Sequence, residues 1–112
     1  MGKVTNAAIK IKLINEIREN WKEKEWQGIN FDMIQSLEKV EPTLSPDFRY
    51  EGSGEEYKFS ADIYFMIKEK NNPFGVDRKT YRIHPYCKML IEETGDDFNV
   101  KITSPIPLQK LR

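Results

Sequence analysis

The chain has little from which to build chemistry. It contains one cysteine and one histidine. A lone Cys87 excludes any internal disulfide, and a small secreted domain normally needs such staples, so the expected compartment is a reducing one, the cytoplasm. One His and one Cys are too few for a typical structural zinc site. Neither charge sign is in excess: 18 Lys and Arg balance 18 Asp and Glu, which excludes a polycationic nucleic-acid clamp. No apolar run approaches the roughly 20 residues of a membrane-spanning helix. Met1 to Trp21 alternates apolar and charged residues and lacks the unbroken stretch of a signal peptide. Internal repeats and low-complexity tracts are missing. Gly52-Ser53-Gly54 has neither the spacing nor the following lysine of a phosphate-binding loop. At 112 residues there is no room for a second core, while 38% hydrophobic content excludes a disordered tail.

What the chain does have is rhythm. Its first forty residues repeat with helical spacing and most of the remainder with strand spacing, which predicts an α+β fold with an antiparallel sheet. A first helix is expected from Thr5 or Asn6, both good N-caps, to about Lys24. Ala7, Ile9, Ile11, Leu13, Ile14, Ile17 and Trp21 fall in one broad arc, and Lys12, Asn15, Glu16, Glu19, Lys22 and Glu23 fill the other. A second, short helix is expected after Asn30, with Met33, Ile34, Leu37 and Val40 as its stripe and Pro42 as its stop.

The strands follow. Phe48 and Tyr50 mark a short first strand. From Tyr57 to Ile67 the odd positions read Tyr, Phe, Ala, Ile, Phe, Ile and the even ones Lys58, Ser60, Asp62, Tyr64, Met66, so one face is buried and the other wet. A loop with Asn71, Asn72, Pro73 and Gly75 leads to a strand from Lys79 to Glu93, with Tyr81, Ile83, Cys87, Met89 and Ile91 on one face. After a turn at Thr94–Asp97, Phe98, Val100 and Ile102 form the last strand. The expectation is two N-terminal helices packed on a curved four-stranded antiparallel meander over residues 1–103, then an extended Pro-containing tail, 104–112. Pro85 cannot donate to a ladder, so the Lys79–Pro85 edge is open unless the Ser104–Leu108 tail or another subunit covers it.

This order of elements, with the closing segment Glu92-Glu93-Thr94-Gly95-Asp96-Asp97-Phe98-Asn99-Val100-Lys101-Ile102, resembles the cystatin-like α+β roll, including the nuclear transport factor 2-like superfamily. There an acidic, Gly-containing turn precedes an aromatic residue and an alternating strand, and Phe98 stands at the aromatic position. The resemblance covers roughly Val4 to Thr103 and implies the roll architecture. It implies no particular activity, since this superfold hosts many. Enzymes of the group add helix between the first two strands, where this chain has only Glu51 to Glu56, and the inhibitory loop of the cystatins is missing.

His84 and Asp62 are the candidates for catalysis, since an imidazole beside a carboxylate is the minimal general-base pair and one even-face register sets them opposite. A solvated cross-strand pair explains the same residues without catalysis and is the expected reading, since catalytic sites normally sit in concave pockets. Cys87 lies on the other face and reads as a small buried hydrophobe. Arg78, Lys79, Arg82 and Lys88, with Tyr81 and Tyr86 between them, read as a solvated basic strip rather than a nucleic-acid surface, and the acidic turn at Glu92, Glu93, Asp96 and Asp97 as solvated rather than calcium-binding. The even face carries Tyr64, Met66, Tyr86 and Leu90, unusually apolar for a wet surface, beside Arg82. The leading expectation is therefore a binding or interaction module without a cofactor, a nucleic-acid partner or a membrane. It would associate with itself as a homodimer, or with another protein, through the sheet face or a strand edge. An alternative is a ligand-binding or enzymatic roll with a pocket lined by Phe59, Phe65, Tyr81 and Met89. An immunity or conjugation-related protein of a mobile element is a third possibility on size and fold, for which no residue argues.

Overall fold

The computed structural model describes residues 4–68, 76–83, 87–103 and 105–111. Helix α1 spans Asn6–Asn20, and single 3₁₀ turns lie at Trp21–Glu23 and Phe31–Met33. The strands are β1 (Trp26–Gln27), β2 (Ile34–Thr43), β3 (Glu55–Lys68), β4 (Val76–Ile83), β5 (Cys87–Thr94), β6 (Asp97–Ile102) and β7 (Ile106–Lys110). The fold is α+β but departs from the expected architecture. Among the described residues one α-helix and a seven-stranded mixed sheet replace two helices on a four-stranded antiparallel meander.

The largest correction is the second helix. Only Phe31–Met33 turns, with the Asn30 side chain accepting from the Asp32 N–H at 3.2 Å, and Ile34 onward is extended. The reason lies in the ladder between β2 and β3. Ile34, Leu37 and Val40 pair with Ile67, Phe65 and Ile63, and the register shifts between Ile34 and Ser36 and again between Leu37 and Lys39. Each bulge inserts one residue, Gln35 or Glu38, into a two-residue step. Two successive bulges turn a period of two into a period of three, so a strand acquires the apolar spacing of a helix. Pro42 sits inside the strand instead of stopping a helix, which an edge strand tolerates.

Helix α1 begins where expected. The Thr5 side chain accepts from the Ala8 N–H at 3.1 Å, capping the first turn. Its buried stripe is narrower than the predicted arc: Ile9, Leu13 and Ile17 are fully buried, whereas Ile11 is 58% exposed. The helix ends at Asn20 rather than Lys24. The Trp26 indole N–H donates to the Trp21 carbonyl at 2.7 Å, joining the Lys24 N–H at 3.4 Å on that oxygen.

Strand β3 is the spine. β2 pairs along its Ser60–Ile67 stretch on one edge. β4 and β5 follow each other along the opposite edge, at Asp62–Lys68 and Glu55–Phe59 respectively. Asp62 pairs with Arg82 and Phe59 with Cys87, so the register slips by two residues between the two ladders. Near the slip the buried Ser60 hydroxyl donates to the Ile83 carbonyl at 3.1 Å. β6 lies outside β5, and β7 lies outside β4 at Tyr81–Ile83, covering that part of the edge expected to be open. β1 adds to β7 in parallel. Gly28, at φ +90°, follows β1 so closely that a Cβ there would meet the Leu108 carbonyl oxygen, which explains the glycine. Phe48 and Tyr50 form no strand; their rings pack against Tyr57, with centroids 5.3 and 5.9 Å away.

The inner face of β3 (Phe59, Ala61, Ile63, Phe65, Ile67) builds the core with Ile9, Leu13 and Ile17 of α1, Met89 and Ile91 of β5, and Phe98 and Val100 of β6. α1 lies against β2 and β6. The fourteen-residue β3 draws the molecule out to 52 × 24 × 20 Å.

Candidate functional site

The outer face of the sheet, turned away from α1, is a grid whose rows follow from the register. One row is Glu41, Asp62, Arg82 and Gln109, and the next begins Lys39, Tyr64, Thr80. Met66 stands opposite Arg78. Strand alternation places these side chains outward because their neighbours are needed in the core.

Two polar clusters organise the grid. Arg82 grips Asp62 with two donors, Nε to Oδ1 at 2.8 Å and Nη2 to Oδ2 at 3.2 Å. Tyr64 lies between cations from both flanking strands, Lys39 Nζ at 5.9 Å and the Arg78 guanidinium at 5.3 Å from its ring centroid. Arg78 also donates to Glu38 at 2.6 Å, and that hydrogen bond raises its already high pKa. Small side chains at Thr80 and Ser60 make two open hollows on either side of the Asp62–Arg82 pair. One, of about 420 Å³, is bordered by Asp62, Tyr64, Arg78, Thr80 and Leu111. The other, of about 240 Å³, is bordered by Thr43, Ser60, Asp62 and Arg82. Positive and negative groups alternate, so the face carries no single-sign field for an anion or for nucleic acid.

The expected site residues are brought together only in part. Asp62 stands opposite Arg82, because β4 pairs in the register two residues away from the one that would have set His84 there. His84, Tyr86 and Pro85 lie outside the described residues, as does the loop with Asn71, Asn72, Pro73 and Gly75. Tyr64 and Met66 are half-buried neighbours on β3. Leu90 is half-buried too but pairs with Glu56, eight residues along β3 from Tyr64 and roughly 26 Å away. The opposed Lys58 and Lys88 stand between them, so the apolar row is split. The basic strip is divided as well: Arg78 and Arg82 are held by carboxylates on the outer face, while Lys79 and Tyr81 belong to the inner one.

Phe59, Phe65 and Met89 are completely buried and Tyr81 nearly so. Phe65 packs edge-on under Trp26 (5.4 Å) and touches Trp21 and Tyr81 (6.3 and 5.9 Å). Tyr81 also borders a hollow of about 180 Å³ with Ile29, Met33, Ile67, Lys79 and Lys110. Among the described residues no three His, Cys, Asp or Glu side chains are placed to hold a metal ion, and no helix is long and apolar enough to cross a membrane.

Sequence reasoning missed Lys39, Glu38 and Leu111 as members of the outer face. The first two stand on the strand that resembled a helix, and the third belongs to the segment beyond residue 103. At the far end of the sheet it also missed a polar latch. The Tyr57 hydroxyl accepts from the Glu51 and Gly52 N–H groups at 2.8 and 3.1 Å, and Tyr50 donates to Glu93 at 2.5 Å. Partial burial and the Glu93 carboxylate push the Tyr50 pKa from 10 up to about 12. Compared with protein-family models, curated proteins and solved structures, the chain finds no match.

Proposed function

We propose that this chain is a small interaction module of a reducing compartment, the cytoplasm, and that it associates with itself through its sheet. The observation that carries this reading is the mismatch between sheet and cover. Among the described residues one fifteen-residue helix shields one face of seven strands, and the opposite face and the outer edges stand outside the core. The half-buried Tyr64 and Met66, with Arg82 and Arg78 beside them, are the residue types that anchor protein contacts. The kinship to the cystatin-like rolls belongs to the same proposal; its support is a helix set against long antiparallel strands and the Gly95 turn leading to Phe98.

A ligand-holding or enzymatic roll has weaker support. Phe59, Phe65 and Met89 fill the space between helix and sheet where its pocket would be, and the hollow beside Tyr81 is smaller than the roughly 300 Å³ at which small-molecule sites begin. The 420 Å³ hollow lies open on the opposite, outer face of the sheet.

Light scattering between about 1 and 100 μM, the range of weak protein contacts, tests the proposal. Association gives a mass approaching twice the 13.2 kDa of one chain; a strict monomer throughout overturns it. Tyr64→Glu then assigns the contact, since loss of the dimer places it on the outer face and retention places it on an edge.

A further inference from the structure

The sheet has two long borders, and they differ in kind. β2 is guarded by two bulges, by Pro42 and by the charges of Glu38, Lys39 and Glu41, all of which discourage another strand from adding. β6 pairs with β5 in unbroken register from Thr94↔Asp97 to Met89↔Ile102 and contains neither bulge nor proline. Its phase is set by the Thr103 N–H donating to the Lys88 carbonyl at 3.2 Å. Counting back in twos, Lys101, Asn99 and Asp97 exchange hydrogen bonds with β5, which turns the N–H and C=O groups of Phe98, Val100 and Ile102 away from it. The Phe98 N–H is taken by Asp97 Oδ1 at 2.8 Å. Among the described residues no strand pairs with the outer side of β6. That side borders an open groove of about 240 Å³, whose other wall is the polar flank of α1 with Asn15, Glu16 and Glu19.

We infer that β6 is where a second copy of the chain adds, antiparallel, across a two-fold axis at Asn99. This rests on the proposed self-association and names its contact. The occupant is chosen by charge. Asp97 and Lys101, both exposed, lie symmetrically about Asn99, so in a ladder centred there each Asp97 faces Lys101 of the second copy. Moving the two-fold axis by two residues, onto Lys101 or Asp97, sets Lys101 against Lys101 or Asp97 against Asp97. The same register pairs Phe98 with Val100 of the second copy, both of which point their backbone outward, so every new hydrogen bond finds a partner. The Phe98 N–H exchanges its Asp97 acceptor for the Val100 carbonyl opposite, and the carboxylate, now near Lys12 at 3.1 Å, becomes available to Lys101. The two sheets join into one, extending the apolar inner face through Phe98 and Val100.

The test uses the intact chain with Asn99→Cys. Asn99 is exposed, so the replacement leaves the core alone, and Cys87 is buried. On the axis, two residues 99 form a non-hydrogen-bonded pair with Cα atoms about 4.5 Å apart, within disulfide reach. Mild oxidation at about 100 μM, in the range of weak contacts, should yield a covalent dimer from Asn99→Cys and little from Lys101→Cys or Lys58→Cys. In scattering, Lys101→Glu should dissociate roughly tenfold more readily than wild type. A wild-type dimer that Lys101→Glu leaves intact, with no preferential crosslink at position 99, overturns the β6 contact while self-association stands. A wild-type monomer that also fails to crosslink at position 99 overturns both.

Discussion

β2 and β6 do the same topological job with opposite means. Both border the sheet and both lie against α1. β2 is ten residues long, twice bulged and interrupted by Pro42; β6 is six residues of strict alternation, Asp97, Phe98, Asn99, Val100, Lys101, Ile102. Each is tied to the helix by one basic side chain. Arg18 donates to the Glu38 carbonyl at 3.1 Å, the residue that the second bulge inserts, and Lys12 reaches Asp97 at the start of β6. The contrast shows that an irregular edge is held by what packs beneath it and what binds its displaced carbonyls, whereas a regular edge is held by its ladder.

That contrast can be broken most forcefully in the core. Phe65 pairs with Leu37 of β2 and carries Trp21, Trp26 and Tyr81. Phe65→Ala should cost about 3–5 kcal/mol in urea unfolding. Met89→Ala, at the residue paired with Ile102 of β6, should fall at the lower end of about 2–5 kcal/mol; equal or reversed losses would remove the distinction. Next in size is a change of edge character. Deleting Gln35 and Glu38 together leaves Ile34, Ser36, Leu37, Lys39 and Val40 in plain alternation, without bulges. Such a chain should fold and, with only Pro42, Lys39 and Glu41 left to guard β2, assemble beyond a dimer in sedimentation.

Smaller effects compare the tethers. Arg18→Met strands the Glu38 carbonyl and should cost about 0.5–1 kcal/mol, whereas Lys12→Met breaks an exposed ion pair worth about 0–0.5 kcal/mol; chemical denaturation of both variants measures the difference. The smallest concerns pH, at the β5–β6 end alone. The native Tyr50 pKa is raised to about 12, so the native state favours the protonated phenol. Its contribution is complete below about 10, the ordinary tyrosine value, and is lost as pH rises through 12. Tyr50→Phe should flatten that part of the stability profile; an unchanged slope would show that another group titrates there.

Much of the framework was legible along the chain. Strand β3, the hairpin of β5 and β6 and the burial of Phe59, Phe65 and Met89 follow from alternation and side-chain size, which neighbouring residues express together, and the Thr5 cap follows from a hydroxyl just ahead of the helical stretch. The second helix was misread because Ile34, Leu37 and Val40 carry a spacing that a helix and a doubly bulged strand share. The candidate site suffered more. Asp62 was legible as an outward carboxylate, but its partner depended on a two-residue slip between β4 and β5. Leu90 was legible as an outer-face residue, but its separation from Tyr64 depended on which stretch of β3 it pairs with.

The amino-acid order alone determined which side chains turn inward in β3, β5 and β6, where α1 begins and how little chemistry the chain can hold. Only the tertiary structure decided that Ile34–Thr43 is a strand, that β7 and β1 join the sheet, and that Arg82 rather than His84 stands opposite Asp62. Inward or outward facing is set by bonds between adjacent residues. Pairing register is set by contacts between residues far apart, and a single inserted residue shifts it without altering the composition on either side.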